Sequence, residues 1–138
     1  MPLRLGVVVE EFSTYAAAFA RRNLDQARLS NSRIVTQRVS EWLQVKASSV
    51  APVDLVLLDP PRTGVEEDAI NGLIDLKPLR IVYVSCDPAT LARDLKKLIA
   101  GGFSLDSILA FDMFPQTHHV ETVAHLSLNV SGNPKRGN

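Results

Sequence analysis

The sequence has few of the features that mark secreted, membrane-spanning or disulfide-stabilised proteins. Its 138 residues include one cysteine, so no disulfide can form within the chain. It contains no signal-peptide pattern and no apolar run of membrane-spanning length. Internal repeats and low-complexity stretches are also absent. We therefore expect a single globular domain in the reducing cytoplasm, with no membrane partner.

The sequence also lacks an excess of charge of either sign. Fifteen basic and fifteen acidic residues cancel, so no net positive field indicates a nucleic acid ligand. An RNA partner would have to meet a local basic patch or protein outside this chain. The overall charge therefore neither supports nor excludes RNA.

Apolar runs and helical patterns alternate along the chain. Strands are predicted over residues 3–9, 33–39, 53–58, 79–85, 103–111 and 120–128. The run at 53–58 indicates a buried strand, and the run at 81–84 is typical of a strand buried on both faces. Helices are predicted from Ser13 or Thr14 to near residue 30, in a turn at 41–43, over 66–76, and from Asp87 to Gly101. This order predicts an α/β fold with a mostly parallel, doubly wound sheet over residues 1–128 and a disordered tail over 129–138.

The single cysteine, Cys86, lies between a predicted strand and a predicted helix. Asp87 is a good N-cap, and Pro88 suits the first helical turn. The thiol would therefore lie at the carboxyl end of a strand, where open α/β sheets bind ligands and where helix amides stabilise a thiolate. A lone cysteine is also often a small buried hydrophobic residue, so the position alone permits either a nucleophile or a core residue.

Other polar groups are predicted at the same edge of the sheet. Glu11 follows the first predicted strand, Asp59 and Arg62 follow another in the sequence DPPR, and Glu121 begins the last strand. A carboxylate at the end of a strand can hold ribose hydroxyls, although it can also be a solvated charge. The prolines after Asp59 indicate a rigid turn at the ligand crevice.

Three motifs together resemble the catalytic domain of the RNA uracil-5 methyltransferase family. They are LLDPPR at 57–62, IVYVSCDPATLARD at 81–94 and DMFPQTHHVE at 112–121. Their order and spacing match the family over roughly residues 5–128. Amino-group methyltransferases share the Asp-Pro-Pro element, but an aromatic residue follows it there, and Arg62 in that position argues against them.

The resemblance implies S-adenosylmethionine-dependent methylation of carbon 5 of a uridine in tRNA or rRNA. Carbon 5 of uracil is a poor nucleophile, so the family's cysteine adds to carbon 6 and thereby activates carbon 5. Cys86 matches that nucleophile. The family's glutamate later removes the carbon 5 proton, and Glu121 matches that base. The uridine would be flipped out of its stack, because stacking hides both carbons.

The resemblance also assigns binding residues. Three residues match the family's contacts to S-adenosylmethionine, namely Glu11, Asp59 and Ser40. Three more are expected to contact RNA or to position the catalytic groups, namely Arg62, Thr117 and His119. No metal site is implied.

The resemblance further implies a Rossmann-like class I methyltransferase sheet, mostly parallel with an antiparallel last strand, that lacks the family's first strand and glycine-rich loop. Gly6 alone cannot replace that loop, so residues 1–128 would form a partial catalytic domain. We expect an upstream segment or another chain to complete the fold, and weak or no cofactor binding and activity for this chain alone. Two alternatives are a non-catalytic remnant that contacts RNA or protein, and a different Rossmann-like methyltransferase, against which the pair of Cys86 and Glu121 argues.

Overall fold

The computed structural model describes residues 14–46, 52–113, 116–117 and 120–130 of a chain that divides into compact units at 1–45 and 46–138. The helices are α1 (Thr14–Gln26), α2 (Val39–Lys46), α3 (Glu67–Leu76) and α4 (Pro88–Ala100). The strands are β1 (Leu55–Leu58), β2 (Arg80–Ser85), β3 (Phe103–Phe111) and β4 (Glu121–Leu128). The predicted strand at 3–9 and most of the predicted tail lie outside the described residues. None of the described helices is long and apolar enough to cross a membrane.

In the first unit, α1 begins at the predicted Thr14 and ends at Gln26, earlier than predicted. It ends there because Arg28 adopts a left-handed conformation with φ of 55°, and Leu29 donates its amide back to the Leu24 carbonyl. The predicted strand at 33–39 is wrong, since residues 32–38 form neither strand nor helix and α2 begins at Val39. Among the described residues this segment pairs with no other strand, and strand geometry is not stable without a partner.

The second unit contains a four-stranded sheet in the order β1-β2-β4-β3. β1 runs parallel to β2, and β4 runs antiparallel to both β2 and β3. Consequently β1, β2 and β3 point in the same direction, and β4 is reversed. This arrangement confirms the predicted α/β fold with an antiparallel last strand.

The two inner strands, β2 and β4, carry the core of the second unit. Ile81 and Tyr83 of β2 are fully buried and stand opposite Leu126 and Ala124 of β4. Opposite residues on paired strands face the same side of the sheet. α4, in which Leu98 is also fully buried, covers this side, and α3 contacts α4. The sheet therefore has one well-filled face.

β1 is less buried than its apolar sequence predicts. Leu55 and Leu57 are 54% and 67% exposed, although the run at 53–58 predicted a buried strand. Within the described residues, β1 has a paired neighbour on one side only. Val82 and Val84 of β2 are half-buried, so the prediction of burial on both faces is wrong for β2 and the prediction of a buried strand is wrong for β1.

Candidate active site

Several of the predicted site residues reach one edge of the sheet. Asp59 follows β1 and Cys86 follows β2, and the carboxyl ends of parallel strands meet at the same edge. Glu121 begins β4, which is antiparallel, so its amino end lies at that edge too. Arg62 lies in the loop after β1, and Thr117 lies in the connection from β3 to β4. The topology thus brings to one edge three motifs that are far apart in the sequence, at Asp59, Cys86 and Glu121.

Cys86 and Glu121 leave neighbouring strands side by side. The ladder between β2 and β4 ends at the pair of Ser85 and Thr122. Cys86 comes directly after Ser85, and Glu121 comes directly before Thr122, so the same register continued by one residue would place them opposite each other. Cys86 itself lies in the bend that follows β2, so the two residues adjoin the last pair of the ladder without extending it. Both residues are half-buried, and the thiol is free.

The turn that carries the thiol, residues 85–87, is held by its own side chains. Ser85 Oγ donates to the Asp87 carbonyl oxygen at 2.9 Å and accepts from the Asp87 amide at 3.1 Å. One buried hydroxyl therefore satisfies both backbone groups of Asp87 across Cys86. This arrangement fixes the backbone on which the thiol is mounted.

Asp87 caps α4, as the sequence predicts. Its Oδ1 accepts from the amides of Ala89 and Thr90, both at 2.9 Å, and Pro88 occupies the first turn. These amides, first of all that of Thr90, hold the pKa of Asp87 below its usual value, and the charge of Arg62 acts in the same direction. The helix therefore begins with a carboxylate that stays ionised at neutral pH.

The loop after β1, residues 59–65, is attached to α4 at several points. The Gly64 amide donates to the Pro61 carbonyl oxygen at 2.8 Å and closes a tight turn. Thr90 Oγ1 lies 3.0 Å from the Arg62 carbonyl oxygen, and Arg93 Nη2 donates to the Thr63 carbonyl oxygen at 2.8 Å. The loop that carries Asp59 and Arg62 is therefore held by the helix that follows Cys86.

Asp94 is the centre of this attachment. Its carboxylate is fully buried, and Oδ2 accepts from the Val65 amide at 2.8 Å and from the Tyr83 hydroxyl at 2.7 Å. Oδ1 accepts from Arg93 Nε at 2.9 Å, with Nη2 at 2.8 Å. One carboxylate thus joins the loop, β2 and α4.

Gly64 is required where the loop passes over this carboxylate. Its φ is 80°, which residues other than glycine rarely adopt, and an added Cβ would lie 2.5 Å from both Arg93 Nη2 and Asp94 Oδ2.

The phenol of Tyr83 is the second donor to this carboxylate oxygen. Burial, followed by the hydrogen bond to Asp94 and the charge of Asp94, raises the pKa of Tyr83. The phenol therefore stays protonated and remains a donor to the carboxylate.

The structure places the remaining predicted residues as follows. Asp59, Arg62 and Thr117 are exposed. Ser40 lies in α2 of the first unit and is 8% exposed. Glu11 and His119 lie outside the described residues. Across the described part of the chain, no three His, Cys, Asp or Glu side chains come close enough to hold a metal ion.

Sequence reasoning missed Asp94, Tyr83 and Gly64 as parts of this site. A signal for Asp94 was present, because it lies on the same helical stripe as Leu91, Leu95 and Leu98. A charged residue on a buried stripe must find donors. The pattern does not name those donors, which come from elsewhere in the chain.

The order of elements and the reversed β4 define a Rossmann-like class I methyltransferase fold. The structure of the Pyrococcus abyssi tRNA (uracil-54, C5)-methyltransferase in complex with S-adenosyl-L-homocysteine is similar, with a TM-score of 0.70 and 34% identity over 88% of this chain and 29% of that one. The N-methyltransferase NodS of Bradyrhizobium japonicum shares the fold, with a TM-score of 0.68 at 15% identity over 92% of this chain and 67% of that one.

The chain belongs to the tRNA (uracil-5-)-methyltransferase family, whose sequence profile matches residues 6–129. An uncharacterised RNA methyltransferase of Gloeobacter violaceus is 44% identical over 76% of this chain and 23% of its own length. Another, of Thermotoga maritima, is 41% identical over 87% of this chain and 27% of its own length. The chain therefore spans about a quarter of the length of these relatives.

Proposed function

We propose that this chain carries the catalytic groups of an S-adenosylmethionine-dependent RNA methyltransferase that modifies carbon 5 of a uridine in tRNA or rRNA. The observation that carries the proposal is the register of β2 and β4, whose last pair is Ser85 and Thr122, the residues directly adjoining Cys86 and Glu121 at the ligand edge of the sheet. Family membership and the tRNA uracil activity named for the Pyrococcus abyssi protein support it.

Cys86 would act as the nucleophile. Its thiolate forms a bond to carbon 6 of the flipped uracil, and the electron pair of the 5,6 double bond moves to carbon 5 and the neighbouring carbonyl. Carbon 5 then takes the methyl group and the donor leaves as S-adenosylhomocysteine. S-adenosylmethionine, when bound, supplies a methyl group on a positively charged sulfur. The firmly held turn at 85–87 favours this step because the thiol needs a fixed direction of attack.

Glu121 would complete the reaction. Its carboxylate takes the proton from the methylated carbon 5, and that electron pair restores the 5,6 double bond. The bond between carbon 6 and sulfur breaks in the same step, so Cys86 leaves as a thiolate. A base on the strand next to the nucleophile suits this chemistry because carbons 5 and 6 are bonded neighbours.

The remaining assignments follow the same proposal. Asp59 is an exposed carboxylate at the edge where β1 ends, which fits an acceptor for hydrogen bonds from the cofactor or the base. Cofactor contacts are also proposed for Glu11 and Ser40, and RNA or positioning contacts for Arg62, Thr117 and His119. We further propose that residues 1–128 belong to one partial catalytic domain, which the family match to 6–129 supports. A cytoplasmic location suits a thiol that must stay reduced.

The first test uses RNA that contains 5-fluorouridine, incubated with S-adenosylmethionine and with the Thermotoga maritima relative in which this chain replaces the matching segment. Fluorine at carbon 5 blocks the final proton removal, so the protein should be trapped on the RNA and migrate as a covalent adduct. Mass spectrometry should place the attachment on Cys86, and Cys86→Ala should form no adduct. An adduct that forms equally well in Cys86→Ala would contradict the proposal.

The second test addresses the base in the same hybrid protein with unmodified RNA. Glu121→Gln should retain methyl transfer and accumulate a methylated covalent adduct, because only the last step is blocked. Glu66→Gln, in an exposed position at the start of α3 without a side-chain cap bond, is the matched control and should accumulate none. If Glu121→Gln turns over normally, another group is the base.

We propose weak or no activity for the 138-residue chain alone, because it spans about a quarter of the length of its relatives. Activity should appear in a chimaera in which this chain replaces the matching segment of the Thermotoga maritima protein. The intact Thermotoga maritima protein is the positive control. A chimaera that folds and binds S-adenosylmethionine but forms no adduct would show that the catalytic assignment is wrong.

A further inference from the structure

Asp94 is a buried carboxylate that is not among the proposed reacting groups, and a contribution to stability alone does not explain it. Asp94 is fully buried in α4, and placing a charge there costs desolvation energy that its hydrogen bonds must offset. Apolar replacements of buried charges are often neutral or stabilising. What an apolar residue could not provide at this position is a set of directed bonds to three separate parts of the fold.

Those bonds converge on one loop. Val65 is bound directly by the carboxylate, and Thr63 is bound by Arg93, which is itself bound to the carboxylate. Gly64, between them, passes so close that an added Cβ would contact both Arg93 and Asp94. The loop is therefore attached on both sides of its tightest point.

The same carboxylate is connected to the thiol through short, rigid paths. Tyr83 lies three positions before Cys86 on β2, and its hydroxyl donates to Asp94. Asp94 lies on α4, which begins directly after the turn that carries Cys86. The strand before the thiol and the helix after it are thus both joined, through Asp94, to the loop that carries Asp59 and Arg62.

We propose that Asp94 is a positioning residue that fixes the loop at 59–65, and with it Asp59 and Arg62, relative to Cys86. The role of Asp94 in the active site rests on the function proposed above, whereas its attachment of the loop at 59–65 does not. Asp94 is buried and is reached by donors from the protein on both oxygens, so it acts through the loop rather than on the RNA or the cofactor. We call the bonds among Val65, Tyr83, Arg93 and Asp94 the carboxylate lock.

The key variant is Asp94→Asn in the 138-residue chain. It keeps the shape of the side chain but replaces one acceptor oxygen by a donor, so the bonds to Val65 and Tyr83 or those to Arg93 are lost. In one orientation of the amide the Val65 bond is lost, and in the other its acceptor loses its charge, so hydrogen exchange of the Val65 amide should become about 10 times faster or more. Trypsin cleavage after Arg62 in the native protein should rise in parallel.

The control is Leu98→Ala, which removes an equally buried side chain of the same helix without touching the lock. It should lower the melting temperature while leaving the Val65 amide and the cleavage after Arg62 unchanged well below that temperature. Tyr83→Phe, which removes one donor and leaves the others, should give an intermediate exchange rate. If Val65 amide exchange and cleavage after Arg62 increased equally in Asp94→Asn and Leu98→Ala, the proposed carboxylate lock would be wrong.

The catalytic consequence is measured in the chimaera. Asp94→Asn should slow adduct formation at saturating RNA and cofactor about 10–100-fold, as displaced site groups do, while Leu98→Ala should leave that rate unchanged below its melting temperature. A normal rate in Asp94→Asn with an open loop would overturn the positioning role. An unsubstituted chimaera that folds and binds cofactor without forming an adduct would instead overturn the proposed function, and the exchange measurements would still decide on the lock.

Discussion

The loop at 59–65 and the turn at 85–87 lie at the same edge of the sheet but are held in different ways. The loop is bonded to partners 28 to 30 positions away, on α4. The turn is bonded to partners two or three positions away. The turn can therefore form together with its helix, whereas the loop is held only once β2, α4 and the loop have come together.

This difference separates two parts of the proposed chemistry. Cys86, the proposed nucleophile, lies in a turn that is held by local bonds. Asp59 and Arg62, which are proposed to contact the cofactor and the RNA, lie in a loop whose attachment depends on contacts across the second unit. Thr90 connects them, because its hydroxyl lies 3.0 Å from the Arg62 carbonyl oxygen and 3.2 Å from that of Asp87. Loss of a long-range bond should disturb the loop more than loss of a local bond disturbs the turn.

The largest effect is expected for Asp94→Ala. The Tyr83 hydroxyl and the Val65 amide lose their acceptor, and a cavity forms in α4, so the free energy of unfolding should fall by about 2–4 kcal/mol. Arg93 is half-exposed and can be solvated, which limits the loss. Urea unfolding measures this change in the free energy of unfolding. Asp75→Ala, an exposed aspartate of α3, should change the value by less than about 0.5 kcal/mol, and similar losses in both variants would contradict the comparison.

Gly64→Ala should come next, with a loss of about 1–3 kcal/mol. The alanine side chain would collide with the lock while also forcing an unfavourable φ of 80°. Gly102→Ala is the control, because Gly102 has a φ of 104° but open space around its Cβ position. Trypsin cleavage after Arg62 should increase in Gly64→Ala and stay unchanged in Gly102→Ala. The crowding argument would be wrong if the two proteins were cut alike.

Tyr83→Phe should cost about 1–2 kcal/mol at neutral pH and should alter the response to alkali. Because the pKa of Tyr83 is raised in the folded state, the unfolded phenol loses its proton first. Tyr83 therefore contributes stability that is present below about pH 10 and is lost as the pH rises above it. Thermal melts from pH 8 to 11 should show a shallower decline for Tyr83→Phe than for Tyr15→Phe, which changes an exposed tyrosine; parallel declines would contradict this.

Ser85→Ala tests the local turn. Both bonds to Asp87 are lost, but water and the remaining cap bonds compensate in part, so a loss of about 0.5–1.5 kcal/mol is expected. Cleavage after Arg62 should not change, whereas the reaction rate of Cys86 with a thiol reagent should. Ser107→Ala, on the exposed edge strand β3, should alter neither. An opened loop in Ser85→Ala would show that the two regions are not separate.

The smallest effect at neutral pH is expected for Asp87→Asn, since asparagine is also a good N-cap. The change should appear in acid. The pKa of Asp87 is lowered in the folded state, so its contribution is present above about pH 4 and is lost as the pH falls further. Melting temperatures between pH 2 and 6 should fall less steeply for Asp87→Asn than for the parent protein. Identical slopes would show that the cap carries no such linkage.

The sequence predicts the local region better than the long-range one, for a physical reason. Asp87, Pro88 and Gly101 act through backbone bonds to near neighbours, so their spacing alone predicted α4. The alternation of strands and helices also predicted that Asp59, Cys86 and Glu121 share an edge. Cofactor, RNA and catalytic roles came from resemblance, and the individual role assignments stay predictions.

The failures concern partners far along the chain. Asp94 lies on an apolar stripe, but nothing in that stripe identifies Tyr83 or Val65 as its donors. Residues 33–39 have strand-like composition but no strand partner among the described residues. In β1, an apolar run predicted a buried strand, yet Leu57 is exposed. Each property depends on what lies opposite in space, which periodicity cannot report.

The order of the strands has a consequence for how this edge of the sheet would respond to heat. Cys86 and Glu121 are attached to β2 and β4, each of which has a strand on both sides in the described sheet, whereas the loop at 59–65 extends from β1, which has one. Thermal fraying begins at strands with fewer neighbours. On warming, the protein should lose the order of Asp59 and Arg62 first, while Cys86 and Glu121 still adjoin the paired ends of β2 and β4.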